Sequence, residues 1–214
     1  MKKTLLKLLV GGIFSAFAAQ SFATVVSISS YDISNARTSG FGGWAHYYNG
    51  AITPTGATAS YKGGSGTLND GIQGTSVNNT ELFYTSDAAV ITLHLSAASA
   101  IDTLTLFSFG GGGNGIPGNI TGFDVTINSI TQSFLSTAFG SFSENERVAL
   151  GNSLLAGLVS DTITLSNFKT TGSWATHYSI SEIVLDGNAV PEPASLALVG
   201  LGLTGLLVSR RRKA

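Results

Sequence analysis

The sequence between residues 24 and 188 predicts an all-β domain that folds as a single β-sandwich. Short runs rich in Ile, Val, Leu, Phe and Thr are separated by Gly, Ser, Thr and Asn, which is typical of strands joined by turns. Apolar residues alternate within these runs, as in Ile91, Leu93 and Leu95, so that one face of the strand is apolar. No long stretch shows a helical period outside the two apolar ends of the chain. Several short strands with Gly-rich turns favour a sandwich or jelly roll, and about 165 residues suit one domain.

The predicted strands are Val25–Ser30, Leu82–Tyr84, Ala89–Leu95, Thr103–Phe109, Gly122–Ile127, Thr131–Leu135, Thr162–Phe168 and Ser179–Leu185. Residues 36–80 and 110–119 show little apolar period and are predicted to be long loops. Such loops often carry function in compact domains, and a solvated connection is the alternative. Glu144 to Leu155 allows one or two helical turns, although Gly151 and Gly157 weaken a helix.

The first 23 residues have the pattern of a secretory signal peptide. Three lysines lie among the first seven residues, residues 8–19 are mostly apolar, and Ser21-Phe22-Ala23 is a small-x-small cleavage site. The mature chain is therefore predicted to begin near Thr24, in an exported protein. An uncleaved N-terminal anchor is the alternative, which the short apolar run disfavours.

Residues 189–214 have three parts that together predict a membrane-associated segment. Val190-Pro191-Glu192-Pro193 comes first, and its prolines fix φ and remove backbone donors, so they end any upstream structure. The uncharged apolar run from Ala194 to Val208 predicts a short transmembrane helix. Its 15 residues give about 22 Å of helix against a bilayer core of about 30 Å. Arg210-Arg211-Arg212-Lys213 supplies positive charge of the kind that holds a chain end on the cytoplasmic side.

This tail resembles the PEP-CTERM sorting signal of Gram-negative bacteria. The resemblance implies an exosortase partner, a membrane protease-transpeptidase, that cuts near Val190–Pro193 while the tail transiently occupies the inner membrane. It also implies export to the cell surface or extracellular matrix of an organism that makes extracellular polysaccharide. Removal of the tail would leave no membrane span in the mature protein. A plain tail anchor with a chance Pro-Glu-Pro is the alternative.

The charge of the central domain differs from that of the whole chain. The full sequence has a net charge of −1, but seven of its eleven cations lie in the two terminal segments. Residues 24–188 keep four cations against eleven carboxylates, which gives −7. An acidic domain disfavours nucleic acid as a partner, because phosphates need Lys and Arg, and it leaves neutral polysaccharide or cations. The chain has no cysteine, so disulfides do not stabilise it.

The order of segments in the central domain resembles the galactose-binding-like jelly roll of discoidin-type domains and many carbohydrate-binding modules. Leu68-Asn69-Asp70-Gly71 precedes residues 89–96, 101–106 and 121–127, and residues 180–187 form the last strand. The resemblance implies a structural Ca²⁺ held by Asp70 and Glu182. Ca²⁺ takes about six to eight oxygen ligands, and a Gly-rich turn can offer backbone carbonyls.

These two residues also have a simpler interpretation. Glu182 lies on the opposite strand face from Ile183 and Leu185, so it need not be buried. In the alternative, Asp70 is only a turn residue before Gly71 and Glu182 is a solvated carboxylate.

Aromatic residues outside the predicted strand cores are the candidate ligand contacts. Two segments share the order Trp-Ala, then His-Tyr, one near each end of the domain. The predicted ligand-binding residues are Trp44, Tyr47, Tyr48, Trp174 and Tyr178. An aromatic ring offers a flat apolar face with a polar edge, which suits stacking on a sugar ring. Packing in the core or at its rim is the alternative.

No sequence pattern predicts catalysis. Residues 113–118 match G-x-G-x-x-G, but a strand rather than a helix is predicted to follow, which disfavours a dinucleotide site. His46, His94 and His177 are dispersed, and His94 reads as an ordinary strand residue. The sequence therefore favours a non-enzymatic module that binds or organises polysaccharide. A structural surface or biofilm protein without a small ligand, and a polysaccharide-acting hydrolase, are the alternatives.

Overall fold

The computed structural model describes residues 24–37, 46–74, 79–108, 117–135, 144–172 and 174–190. These residues are mostly β-strand, and the helical turns among them are two 3₁₀ turns, Thr85–Asp87 and Leu150–Asn152. Within the described ranges, no helix is long and apolar enough to cross a membrane. The strands are β1 Thr24–Val26, β2 Ile28–Arg37, β3 Ala51–Thr55, β4 Thr58–Gly64, β5 Glu81–Tyr84, β6 Val90–Ser108, β7 Asn119–Ile127, β8 Ile130–Leu135, β9 Glu144–Ala149, β10 Val159–Thr171, β11 His177–Ile180 and β12 Glu182–Ala189.

The long strand β6 is shared by both layers of the sandwich. Its first half pairs with β2 and β10, with Leu93 opposite both Tyr31 and Ile163. Its second half pairs with β12 and β9, with Leu104 opposite Leu185. The strand changes layers between Ser96 and Ala100, so one continuous run of residues supplies a central strand to each layer. The predicted all-β sandwich is confirmed.

Both layers contribute to one core. The first layer has the order β3-β4-β2-β6-β10-β7-β8, while β1, β12, β6 and β9 form the second layer, and β5 pairs with β11. Ile91, Leu93 and Leu165 from the first layer and Leu104 and Leu185 from the second are all fully buried in the same apolar cluster. The alternation read from the sequence therefore marks the inward face of these strands correctly.

Each predicted strand overlaps an observed strand, but three observed strands were not predicted. Strands β3 and β4 lie within residues 36–80, so the expectation of one long loop there is wrong. All five residues of β3 are exposed, and β4 ends in two glycines, so neither shows a complete apolar period. Strand β9 occupies part of the segment from Glu144 to Leu155, where helical turns were expected. Pairing with β6 gives this segment its extended conformation.

The strand registers define two opposite ends of the sandwich. The Trp174 end contains Arg37, Tyr84, Asp87, Trp174 and His177. The terminal end contains the bend of β6 and both ends of the domain, since Thr24 pairs with Gly187 and the Val190 N–H donates to the Ala98 carbonyl at 2.9 Å. Strand β10 runs between the two ends over 13 residues, which is about 40 Å of extended chain.

Candidate functional site at the Trp174 end

A tight turn presents Trp174 at the end of β10. The Ala175 N–H donates to the Gly172 carbonyl at 3.3 Å, and the His177 N–H donates to the Trp174 carbonyl at 3.0 Å. Gly172 has a φ of +102°, which favours glycine at the start of the turn. The indole remains 44% exposed. The turn therefore fixes the backbone while leaving a large aromatic face in solvent.

Gly118 supports this turn from a neighbouring segment. Its N–H donates to the carbonyls of both Trp174 and His177 at 3.0 Å. A Cβ at this position would lie 2.7 Å from the Trp174 carbonyl oxygen and 2.9 Å from the Ala175 Cα. Only glycine allows such a close approach, so Gly118 positions Trp174 without having a side chain of its own.

His177 and Tyr84 pack beside Trp174, with His177 only 8% exposed and Tyr84 partly buried. The two residues are directly opposite each other in the β5–β11 pair, and their ring centroids are 4.0 Å apart. The Trp174 and His177 centroids are 6.2 Å apart at an interplanar angle of 66°. Pairing of two short strands thus aligns three rings in one row.

An ion pair lies next to the Tyr84 ring of this row. Arg37 Nε lies 2.6 Å from Asp87 Oδ2, and Arg37 Nη2 donates to Asp87 Oδ1 at 3.0 Å. The guanidinium carbon is 3.9 Å from the centroid of the Tyr84 ring, a cation–π contact. Asp87 therefore neutralises most of the positive charge and fixes the guanidinium over the aromatic row.

The imidazole of His177 is held in its neutral form. Burial lowers its pKa below the ordinary 6.5, the positive charge of Arg37 lowers it further, and Asp87 offsets part of this effect. Its Nδ1 lies 2.8 Å from the Thr176 hydroxyl. The Trp174 end thus combines an exposed indole, a neutral imidazole and a charge-compensated guanidinium. The exposed indole supplies an apolar face, and the partly exposed guanidinium adds a polar group of low net charge near it.

Two of the predicted aromatic contacts contribute exposed surface. Trp174 belongs to the cluster described above, and Tyr47 is 65% exposed. Tyr48 is partly buried, since its hydroxyl donates to the Tyr31 carbonyl and accepts the Gly64 N–H, both at 2.7 Å. Trp44 lies outside the described residues.

The prediction that Tyr178 contacts ligand is wrong, because this side chain lies in the core. It is 1% exposed and stacks between Phe83 and Phe168, with centroids 5.0 and 4.8 Å away. All four residues of β11 are buried, so neither face of this strand is open to solvent. Arg37, Tyr84, Asp87 and His177 were not predicted, although His177 belongs to the repeated Trp-Ala, His-Tyr order that singled out Trp174.

A hydroxyl, an imidazole and a carboxylate also form a buried chain elsewhere in the domain. The Tyr31 hydroxyl lies 3.0 Å from His46 Nε2, and His46 Nδ1 lies 2.7 Å from Glu81 Oε2. Burial raises the pKa of Glu81, an effect that His46 opposes. Tyr31 is fully buried and His46 is almost so. These three side chains therefore lie in the core and not on an exposed surface of the described residues.

Asp70 and Glu182 lie next to each other, as the sequence resemblance implied. Glu182 Oε2 accepts the Gly71 N–H at 3.0 Å, and the Asp70 carboxylate lies within hydrogen-bonding range of Glu182. The expectation that Glu182 need not be buried is wrong, because it is only 4% exposed. Burial raises its pKa to about 7, and the charge of Asp70 adds to this effect.

The chemistry of this pair fits a shared proton or a cation. Two adjacent carboxylates, one of them buried, repel each other unless a positive charge lies between them. Glu182 also lines a groove of about 270 Å³ beside Asn69 and Ile28. Among the described residues, however, no group of three or more His, Cys, Asp or Glu side chains forms a metal site. Most oxygens of a bound Ca²⁺ would have to come from backbone carbonyls or water.

Comparison with known proteins identifies the tail. Residues 189–213 match the PEP-CTERM protein-sorting motif, which confirms the resemblance found in the sequence. Of these residues, Ala189 and Val190 belong to the described part, and Pro191, Glu192, Pro193, Arg210, Arg211 and Arg212 lie outside it. The comparison with curated proteins gives no match.

Three solved structures with a similar fold are 11 to 15% identical in sequence to this chain. A truncated AlyQ with a family 32 carbohydrate-binding module (CBM32) and alginate lyase domains has 15% identity and a TM-score of 0.46. The match covers 81% of this chain and 36% of AlyQ, so the chain spans about a third of that protein.

Two smaller structures belong to the same classes of domain. The CBM32 of Clostridium perfringens NanJ, solved with galactose, has 15% identity, 56% and 82% coverage of the two chains, and a TM-score of 0.39. A discoidin-type F5/8 type C domain from Bacteroides fragilis has 11% identity, 58% and 80% coverage, and a TM-score of 0.37. These TM-scores are below 0.5, so the fold assignment rests on the strand pairing described above. The sorting motif indicates an exported protein that is anchored or processed at the cell envelope.

Proposed function

We propose that this chain is an exported, exosortase-processed protein whose non-catalytic β-sandwich binds extracellular polysaccharide at the Trp174 end. The observation that carries the proposal is the exposed Trp174 indole, held in a row with His177, Tyr84 and Arg37. Sugars present apolar ring faces edged with hydroxyl groups, and an aromatic ring flanked by polar groups complements both features. The module belongs on the surface or in the extracellular matrix of a Gram-negative bacterium.

The charges of the cluster favour polysaccharide of low charge. Asp87 already occupies two donors of the Arg37 guanidinium, and His177 is neutral, so little positive charge remains for a carboxylated or sulfated sugar. The negative charge of the domain opposes anionic polymers as well. Nucleic acid is excluded from the proposed partners for the same reason.

Ca²⁺ is proposed as a structural cofactor at Asp70 and Glu182. Glu182 begins the last strand, and Asp70 belongs to the turn beside it. Along the chain, Glu182 is roughly 15 Å from His177 at about 3.3 Å per residue. An ion there would tie the turn at Gly71 to β12 and would not contact a sugar at Trp174. Replacement of the shared proton by Ca²⁺ would remove the repulsion between the two carboxylates.

Delivery depends on the tail. The signal peptide starts translocation, the apolar run from Ala194 to Val208 holds the chain transiently in the inner membrane with Arg210–Lys213 inside, and an exosortase cuts near Val190–Pro193. The intact mass of protein recovered from its own cells should correspond to a chain ending near this motif. A full-length tail in cells with an active exosortase would refute this part of the proposal.

The binding proposal is tested by calorimetric titration of residues 24–193 with the host polysaccharide and a panel of neutral and acidic glycans. Each titration is performed with Ca²⁺ and with EDTA. Saturable binding to neutral glycans supports the proposal, and a higher melting temperature in Ca²⁺ that is absent in Glu182→Gln supports the cofactor. Absence of binding to every polymer would favour a structural surface or biofilm protein. Release of reducing sugar would favour a hydrolase.

A further inference from the structure

Large apolar side chains are exposed on strands and turns that reach the terminal end of the sandwich. They come from separate segments of the chain and are Val25, Ile130, Leu154, Val159 and Val190, with Leu154 73% and Val25 70% exposed. The Asn128 side-chain amide donates to the Val159 carbonyl at 3.0 Å, which places the turn before Ile130 against the start of β10. Ala100 pairs with both Val159 and Asn188, so the end of β12 lies on the other side of the same strand. These five side chains define the terminal-end surface.

Few residues separate the terminal end of the domain from the apolar run of the tail. The N–H of Val190 is still bonded to Ala98, and the uncharged apolar run begins at Ala194. The three residues between them span at most about 10 Å when extended. Thr24, where the mature chain is predicted to begin, also lies at this end beside Gly187. A tail inserted in a bilayer therefore holds this end of the domain, and not the Trp174 end, close to the lipid surface.

The charge distribution at this end favours lipids without a net charge. Of the four cations in the described strands, Arg37 is at the opposite end, Lys62 and Lys169 lie in β4 and near the far end of β10, and Arg147 lies in β9 opposite Thr105. Asp102 and Asp161 are near the terminal-end surface. Apolar side chains whose described neighbours are acidic and not basic favour the interface of zwitterionic lipids over that of anionic lipids, which attract Lys and Arg.

We propose that the terminal-end surface rests in the interfacial layer of a zwitterionic bilayer while the tail is attached. This inference rests on the membrane role proposed for the tail. It has a consequence for binding, because β10 then holds the Trp174 end about 40 Å from the lipid surface. Trp174 faces the space where polymer is present, and the anchored module can bind before its tail is removed.

The absence of cysteine makes the proposal directly testable on the full chain. Leu154→Cys and Val159→Cys place a single thiol on the terminal-end surface, and Ser86→Cys places one at an exposed site of the Trp174 end as the matched control. Each is labelled with the environment-sensitive fluorophore NBD and reconstituted with phosphatidylcholine vesicles. The emission at positions 154 and 159 should shift to shorter wavelength and be quenched by nitroxide-bearing lipids. The emission at position 86 should not change.

A second variant separates contact with lipid from insertion of the tail. In a chain labelled at Ile130→Cys, Leu154→Asp and Val159→Asp should abolish quenching by lipid while vesicle flotation persists. These two positions are exposed, so charge there does not disturb the core.

Three results would overturn the proposal. Flotation with water-like emission at all labelled positions would leave the membrane role of the tail intact but refute contact by the domain. Failure of the full chain to float would refute the membrane role of the tail as well. A wavelength shift at Leu154→Cys that grows with protein concentration without vesicles would identify a second copy of the chain as the occupant.

Discussion

Replacement of Trp174 by alanine is the sharpest test of the proposed binding surface. A tryptophan side chain buries up to about 250 Å², and Trp174 is 44% exposed, so about 100 Å² is open to a ligand. At about 25 cal/mol per Å², coverage of half to all of this area contributes about 1.2 to 2.5 kcal/mol. The expected result is a rise in Kd of roughly sevenfold to sixtyfold, since about 1.4 kcal/mol corresponds to a factor of ten.

The assay is calorimetric titration with the polysaccharide that the unmodified protein binds. Trp174→Phe retains an aromatic face and should keep most of the affinity. Leu154→Ala removes an exposed apolar side chain at the opposite end and should leave the Kd unchanged. Because the indole is largely outside the core, the free energy of unfolding of Trp174→Ala should change by less than about 1 kcal/mol. A Kd that matches the unmodified protein would place the binding surface elsewhere and refute this reasoning.

Further predictions concern the core, the electrostatics and the support of the turn. Tyr178→Ala should lower the free energy of unfolding by about 3 to 5 kcal/mol, measured by denaturant titration, because it removes a ring from the buried stack. In EDTA, the free energy of unfolding should fall by at most about 3 kcal/mol as pH rises from 4.5 to about 7, because the raised pKa of Glu182 means that the folded state binds the Glu182 proton more tightly than the unfolded state does. Glu182→Gln should remove this pH dependence. A flat profile for the unmodified protein would contradict the prediction. Arg37→Gln should raise the pKa of His177 in an NMR titration, because a nearby positive charge is lost while Asp87 remains; an unchanged pKa would mean that burial alone lowers it. Gly118→Ala should weaken glycan binding because it displaces the Trp174 turn. Unaltered affinity would show that the turn keeps its conformation without glycine at position 118.

The sequence predicts most of the fold because apolar alternation depends on one buried face. Residues such as Ile91, Leu93 and Leu165 show this alternation and are inward-facing, as expected. Strand β3 has no buried residue, so its pairing with β4 leaves no apolar pattern to detect. A strand that is buried on both faces also lacks an alternating pattern in the sequence. Tyr178 is in the core because β11 is covered on both faces, and this depends on strands distant in sequence.

The candidate site is less predictable because its residues come from separate segments. Trp174 was predicted from its local sequence, and Asp70 with Glu182 only from the resemblance to galactose-binding-like jelly rolls. The ion pair at the same end joins Arg37 and Asp87, which are 50 residues apart, and no local signal links them. The pairing of β5 with β11 then determines that Tyr84 meets His177.

The pairing of the first strand with the last also determines when the domain can fold. Thr24 of β1 lies opposite Gly187 of β12, and β12 pairs with the second half of β6 as well. In the proposed export from the N-terminus, the chain would therefore lack the partner of β1, and a central strand of the second layer, until almost the whole domain has been translocated. Contacts of such long sequence separation form late and slowly. In the export route proposed above, the sandwich would consequently close only after most of the domain has been translocated, so the chain would stay unfolded during translocation.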